Sequence, residues 1–290
     1  MEGIEEAKRR IRHCLETGET ELDLGWLNIG DLNLIPELKE CKHLTYLRLE
    51  KNQIVDLSPL SNLSSLTELY LSGDDIFDLG PLSNLSSLTV LTLLLFNKNI
   101  FETPASFNDN GTLDLSPLSS LCSLTELTLN GNPITDLNPL SNLSSLESLI
   151  LIGAQIVDLS ALSSLNFLTK LDLNDNQIVD LSPLSSLSSL KELYLGENKI
   201  NNLRPLSGLI SLTKLGLTRN QIVDLQPLSS LSSLTELYLY KNQIVDLQPL
   251  SGLTSLTFLN IYTNQIVDIG PLSELPSLIK LSISGNDILD

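Results

Sequence analysis

Few residue types in this 290-residue chain could do covalent or metal chemistry. There are two histidines, His13 and His43, three cysteines, Cys14, Cys41 and Cys122, and a long series of aspartates. Both histidines fall in the first 43 residues, and no serine or cysteine nucleophile is spaced with them as an acyl-transfer triad would require. His13 is expected on a helix surface and His43 in a loop. The cysteines are an odd number with no Cys-x-x-Cys pair and no zinc-ligand spacing. Such a set fits free thiols in a reduced compartment. The aspartates are Asp56, Asp78, Asp114, Asp136, Asp158, Asp180, Asp224, Asp246, Asp268 and Asp290. Most recur at the wide spacing of Asp56 and Asp78, so no single loop gathers them around a calcium ion. These residues predict no catalytic, cofactor-binding or metal site, no cofactor, and a protein that is not an enzyme.

The aspartates instead mark a repeat. From Leu44 onward the chain reads Leu-x-x-Leu-x-Leu-x-x-Asn-x-Ile-x-Asp-Leu-x-Pro-Leu-x-x-Leu again and again, with the period that separates Leu44 from Leu66. Repeats begin at Leu44, Leu66, Leu88, Leu124, Leu146, Leu168, Leu190, Leu212, Leu234, Leu256 and, in part, Leu278. Self-similarity at this period is the mark of a leucine-rich-repeat solenoid. In Leu47-Arg48-Leu49 the alternation has period two, which predicts a strand with both leucines inward and Arg48 outward. Stacked in parallel about 4.8 Å apart, such strands would form a concave sheet about 50–55 Å long. Asn52 is expected to turn the chain and to bond the backbone of its own turn and of the next repeat. Asp56 is expected to accept backbone N–H groups at the next bend. Pro59 suits the first position of a short 3-10 turn, where a missing N–H is harmless. One repeat buries too little apolar surface to offset the entropy lost in ordering its own chain, so neighbours must stack. The predicted class is therefore an α/β solenoid, a horseshoe or arc with a parallel concave sheet and short 3-10 turns on the convex side.

Residues 1–43 form the expected amino-terminal cap and a degenerate first repeat, and residues 44–290 the regular repeats. Ile4, Ala7, Ile11, Cys14 and Leu15 share one helical face, and Gly18 ends the helix. In the first repeat Leu27 stands where the asparagine belongs. The repeat from Leu88 to Leu124 is stretched beyond the others, and its excess lies near 97–112 with Phe101 and Phe107. Asp74 and Ala154 also replace the asparagine and are expected weak points.

The repeat, with Asn176-Gln177-Ile178-Val179-Asp180-Leu181-Ser182-Pro183-Leu184 as an instance, resembles the leucine-rich repeat of the internalins. It is also similar to the repeats of a regulatory subunit of protein phosphatase 1. The resemblance covers residues 44–290, the greater part of the chain. Arg9-Arg10-Ile11 to Glu21-Leu22-Asp23-Leu24 resembles the leader of intracellular bacterial repeat proteins, including the repeat arm of Roco-type GTPases. No Gly-x-x-x-x-Gly-Lys phosphate loop accompanies it. What the resemblance implies is a binding module, since such repeats bind unrelated proteins.

The net charge is −18, and setting aside the ten repeat aspartates leaves −8. This disfavours nucleic acid and anionic membrane as partners. The acidic Glu2, Glu5 and Glu6 beside Lys8 and Arg9 do not read as a signal peptide, and no apolar run spans a bilayer. A cytoplasmic setting is expected, and the sequons at Asn62, Asn84, Asn110 and Asn142 are read as accidents of a serine-rich repeat.

Binding should use the outward strand positions, where the repeat does not dictate residue type. All six tyrosines lie there. The richest cluster is Tyr194, Tyr238, Tyr240, Phe258 and Tyr262, with Lys241 beside it. A smaller one is Trp26, Tyr46 and Tyr70, with Arg48 between. Tyrosine and tryptophan are favoured at recognition surfaces. The expected function is non-enzymatic binding of a protein or peptide on the concave sheet, with self-association through an uncapped carboxy-terminal end as a further expectation. Two other readings are a regulatory arm of a larger signalling enzyme, GTPase- or kinase-like, and a secreted internalin-like adhesin.

Overall fold

The computed structural model describes residues 2–72, 76, 78–94, 112–131 and 133–288. The insertion near 97–112, with Phe101 and Phe107, falls outside the described residues except for Thr112, and the expected weak point at Asp74 lies outside them too. Two compact units divide the chain, Met1–Leu146 and Glu147–Asp290.

The first unit opens with helix α1 (Glu2–Thr17), which buries Ala7, Ile11 and Cys14. Ile4 is only half-buried and Leu15 is exposed, so the predicted five-residue stripe is narrower than expected. Leu15 sits at the edge of that stripe, one residue round from Cys14. The helix stops where Gly18, at φ 73°, donates its N–H to the Cys14 carbonyl (2.9 Å). Gly3 allows the first turn to lie against the degenerate repeat: a Cβ there would come within 1.7 Å of the Leu27 carbonyl oxygen. Five parallel strands follow in sequence order: β1 (Glu21–Asp23), β2 (Tyr46–Leu49), β3 (Glu68–Ser72), β4 (Val90–Leu94) and β5 (Glu126–Asn130). The alternation dictates their faces. Leu47 and Leu49, Leu69 and Leu71, and Leu127 and Leu129 are wholly buried, while the residues between them are not.

The second unit has seven parallel strands: β6 (Ser148–Ile150), β7 (Lys170–Asp172), β8 (Glu192–Tyr194), β9 (Lys214–Gly216), β10 (Glu236–Tyr238), β11 (Phe258–Asn260) and β12 (Lys280–Ser282). Leu212, Leu215, Leu217, Ile222, Leu228, Leu231 and Leu234 have no exposed surface, so one turn of the coil fills the core from every side. In both units 3-10 turns with proline in their first residues form the limb opposite the strands, as at Ser58–Leu60, Asn138–Leu140 and Gln226–Leu228. Ahead of most of these turns an aspartate accepts the N–H two residues on, with Asn202 in its place before Arg204–Leu206. The bonds run from Ser58 to Asp56 (2.8 Å), from Ser182 to Asp180 (2.9 Å) and from Gln248 to Asp246 (2.8 Å). The repeat aspartates are thus turn formers.

The asparagine ladder forms, but it runs opposite to expectation. Asn220 Nδ2 donates to the carbonyls of Leu195 (2.9 Å) and Leu217 (3.1 Å), and its Oδ1 accepts the Ile200 N–H (2.9 Å). Leu195 and Ile200 belong to the preceding repeat, not the next. Asn52, Asn176, Asn198, Asn242 and Asn264 repeat the pattern. The physical reason is the turn's direction: the amide points back over the coil already laid down, where the isoleucine N–H needs an acceptor and the strand carbonyl is shared by two successive asparagines, as Leu195 is by Asn198 and Asn220. A second ladder uses threonine. Thr67, Thr89, Thr235 and Thr257 each donate from Oγ1 to the carbonyl of the equivalent residue one repeat earlier, at 3.0–3.1 Å.

Candidate interaction surface

Because the strands pair in register, every outward side chain belongs to a column running across the sheet. In the second unit the first column reads Ser148, Lys170, Glu192, Lys214, Glu236, Phe258, Lys280. Its charges alternate and neutralise one another: Lys170–Glu192 at 3.9 Å, Lys214–Glu192 at 3.5 Å and Lys214–Glu236 at 3.5 Å. The second column reads Ile150, Asp172, Tyr194, Gly216, Tyr238, Asn260, Ser282. The third, just past the strands, carries Tyr240 beside Tyr262.

These columns bring most of the predicted aromatic cluster together. The Tyr238 and Phe258 rings lie 4.8 Å apart and those of Tyr240 and Tyr262 5.2 Å apart, both tilted. Such pairs add about 0.5–1.5 kcal/mol beyond area burial. Tyr238, Tyr240 and Phe258 are half-buried by these contacts, and Tyr262 is exposed. Tyr194 sits apart from both pairs. Its ring lies on Gly216, where a Cβ would meet Tyr194 Cδ1 at 2.9 Å. That glycine lets the ring lie flat on the sheet. Lys241 is exposed, in the left-handed region at φ 59°. Two cations that sequence reasoning left out of the cluster also join it. Lys280 Nζ sits 5.2 Å from the Phe258 ring centre and the Arg219 guanidinium 5.8 Å from that of Tyr240. Strand register alone could have placed Lys280 there, since it is the direct neighbour of Phe258.

The phenols of Tyr238 and Tyr194 are held in the protonated form. Tyr238 donates to Glu236 (2.7 Å), and this bond, followed by desolvation, pushes its pKa up to about 12. Burial first, and Glu192 second, raise that of Tyr194. Burial also raises Asp172, against the N–H of Asn174 and the charge of Lys170.

In the first unit the smaller cluster divides. Tyr46 and Tyr70 are paired at 5.4 Å, and Tyr70 donates to Glu68 (2.8 Å). Arg48 is held by Glu50 (2.7 Å) and Asp23 (3.5 Å). Trp26 stands apart from both tyrosines. It is 70% exposed, at φ 63°, with Lys51 Nζ 5.7 Å from its ring.

His13 is exposed on α1, 3.6 Å from Glu19, as expected for a helix-surface residue. His43 is more than a loop residue: its Nε2 lies 3.6 Å from the Cys14 thiol, which also donates to the Glu19 carbonyl (3.0 Å). Cys14 and Cys41 are buried and Cys122 is exposed, all three as free thiols. Among the described residues no group of histidine, cysteine, aspartate or glutamate is arranged to hold a metal ion, and no helix is long and apolar enough to cross a membrane.

Parallel strands closed by 3-10 turns, a leucine interior and an asparagine ladder define a leucine-rich-repeat solenoid in each unit. The family described as "Leucine Rich repeats (2 copies)" matches residues 42–79 and, in overlapping copies, 166–274, and "Leucine Rich repeat" matches residues 120–137. An internalin (inlF) of Listeria monocytogenes is similar in structure, with a TM-score of 0.84 and 33% identity over 98% of this chain and 84% of that one. The chain belongs to the internalin-like leucine-rich-repeat proteins. A leucine-rich-repeat protein of Leptospira interrogans shares the fold, with a TM-score of 0.73 and 21% identity over 93% of this chain and 85% of that one. So does a plant peptide hormone receptor, RGFR1, in complex with RGF2, with a TM-score of 0.66 and 22% identity over 92% of this chain and 48% of that one. A comparison with curated proteins finds no match.

Proposed function

We propose that this protein is a non-enzymatic interaction module that docks a protein or peptide partner on the open face of the sheet in residues 147–290. The carrying observation is the gathering of Tyr238, Phe258, Tyr240 and Tyr262 into two ring pairs on adjacent strands, rimmed by Lys280, Arg219 and Lys241. Rings held by one another lose little conformational freedom on binding, which is what a contact anchor requires. The plant receptor above is a fold neighbour seen with a peptide hormone, which supports a peptide or protein ligand for this fold. The proposal places the protein in the cytoplasm. Its free thiols Cys14, Cys41 and Cys122 support a reducing setting.

The test is the triple substitution Tyr238→Ala, Tyr240→Ala, Tyr262→Ala, compared with the parent in affinity capture from the source cell and in thermal unfolding. The proposal expects specific captured proteins to be lost while the melting temperature moves by only a few degrees. Retention of every specific partner by the triple variant would refute it. A collapse of folding would assign the rings to structure.

A further inference from the structure

The aromatic patch in residues 147–290 is a cationic spot on an acidic chain. The net charge is −18, yet Lys241 and Lys280 form no ion pair among the described residues, whereas Lys170 and Lys214 on the same sheet are paired with Glu192 and Glu236. Lys280 and Arg219 lie against rings instead, 5.2 Å from the centre of Phe258 and 5.8 Å from that of Tyr240. Arg219 and Lys241 hold the same place in successive coils: the Arg219 N–H bonds the Tyr240 carbonyl (2.7 Å) and the Lys241 N–H bonds the Tyr262 carbonyl (2.9 Å). Like charges set side by side on neighbouring strands repel. Glu197 holds this place one coil earlier and reaches Arg219 alone, at 3.9 Å. Glu236, beside the rings, is already engaged by Lys214 (3.5 Å) and by the Tyr238 hydroxyl (2.7 Å). At physiological salt charges are screened beyond about 8 Å, so a bound segment feels this rim rather than the total charge of the chain.

We infer that the partner of this patch is an extended acidic peptide segment, with two carboxylates six residues apart flanking two apolar residues on the same side, laid obliquely across the rings from Lys241 to Lys280. This partner presupposes the docking role proposed above for the ring pairs, and adds its charge and spacing. Length and phase both select it. Lys241 lies five residues beyond Glu236, which aligns with Phe258 and, one strand further, with Lys280. Five residues along a strand and two strands across amount to about 16 Å and about 10 Å, so the two lysines are anchored about 19 Å apart. An extended chain covers six residues in about 20 Å, and residues two, four and six apart point the same way. Carboxylates at the first and seventh positions therefore reach the two lysines. Side chains at the third and fifth fall on the rings between, first at Tyr240 and Tyr262 and then at Phe258. Asn260, midway along that path, accepts the Tyr262 N–H on Oδ1 (3.1 Å), which leaves its Nδ2 to donate to the segment's backbone.

The experiment is fluorescence anisotropy of a dye-labelled Glu-Ser-Phe-Ser-Phe-Ser-Glu peptide titrated with the full chain. The comparison peptides are Glu-Phe-Ser-Ser-Ser-Phe-Glu, which has the same composition with its rings on the wrong side, and versions of the first with glutamine or lysine in place of glutamate. We expect saturable binding of the first peptide, weaker binding of the out-of-phase and glutamine peptides, and the weakest of the lysine peptide. Lys241→Gln with Lys280→Gln should weaken the first peptide about tenfold, a loss consistent with two partly screened ion pairs, and leave the glutamine peptide unchanged. Lys39→Gln with Lys42→Gln, which removes the same charge from exposed sites in the first unit, should change neither. Equal binding of the glutamate and glutamine peptides, equal binding of the two phases, indifference to the Lys241 and Lys280 substitutions, or no saturable binding up to millimolar concentration would overturn the inference. Equal glutamate and glutamine binding that is lost in the Tyr238, Tyr240, Tyr262 triple variant would overturn the acidic partner alone and leave the docking role of the rings standing.

Discussion

Replacing Asn220 by alanine should break the coil locally, and the structure sets the size of the effect. Asn220 is 8% exposed and satisfies three backbone groups: the carbonyls of Leu195 and Leu217 and the N–H of Ile200. Alanine leaves the Ile200 N–H in a leucine interior without its partner, while the Leu195 and Leu217 carbonyls each keep a second donor, Asn198 and Asn242. Each buried, unsatisfied polar group costs about 1–3 kcal/mol, and water entering the vacated space recovers part of that. With one group orphaned and two weakened, the net loss should be about 1–3 kcal/mol. The assay is urea unfolding followed by far-ultraviolet circular dichroism, with Gln221→Ala, exposed and next in sequence, as control. Hydrogen exchange gives a local reading. The Ile200 amide, protected through Asn220 Oδ1, should exchange much faster in the variant, while the Ile244 amide, bonded to Asn264, should not. A change below about 0.5 kcal/mol with Ile200 still protected would refute the reasoning, because the ladder would then be ornament on a coil held by leucine alone.

Three further outcomes follow from the geometry. Thr263 is β-branched at φ 55°, a region costly for such residues, so Thr263→Gly should raise stability by roughly 1 kcal/mol in urea unfolding; a loss would show that its side chain contributes more than the backbone strain costs. The pKa values of Asp56, Asp114, Asp158 and Asp180 are lowered chiefly by hydrogen bonds from Ser58, Ser116, Ser160 and Ser182. Depressed carboxylates contribute stability that is full above the unfolded value near 3.9 and lost as pH falls through the folded values, so the urea midpoint should drop as pH falls below about 4. Ser160→Ala with Ser182→Ala should flatten that drop, and an unchanged slope would count against the assignment; Asp172, raised by burial, acts in the opposite sense. Finally, a thiol reagent should modify one cysteine in the native protein, Cys122, and reach Cys14 and Cys41 only on unfolding; rapid native labelling of all three would mean the cap is open.

Much of this structure was legible in the sequence because the repeat states each residue's job many times over. Strand faces, the proline at the 3-10 turn and the aspartate at its start all follow from residue type at a fixed position. The direction of the asparagine ladder did not, since an amide can reach forward or back and only the turn decides. The threonine ladder was overlooked although threonine precedes the strand in repeat after repeat, as at Thr67, Thr89 and Thr235; period-two reading assigns it to surface. The left-handed residue before the ladder asparagine was hidden for a different reason. It is glycine at Gly285, but Lys51, Asp175, Glu197, Arg219, Lys241 and Thr263 also occupy it. Their strain is held by stacking on the next coil, as in Arg219 donating its N–H to the Tyr240 carbonyl (2.7 Å). For the candidate surface, outward positions could be read directly, but ring pairing could not. Tyr194 and Trp26 were grouped with neighbours they do not touch, because grouping by repeat number ignores the column each side chain occupies.

The most direct test of the central claim is hydroxyl-radical footprinting of the protein with and without its captured partner. Tyr238, Tyr240, Phe258 and Tyr262 should lose reactivity on binding, while Phe167 and Ile210, exposed away from the open sheet face, keep theirs. Protection of Phe167 and Ile210 with the tyrosines unchanged would contradict the account.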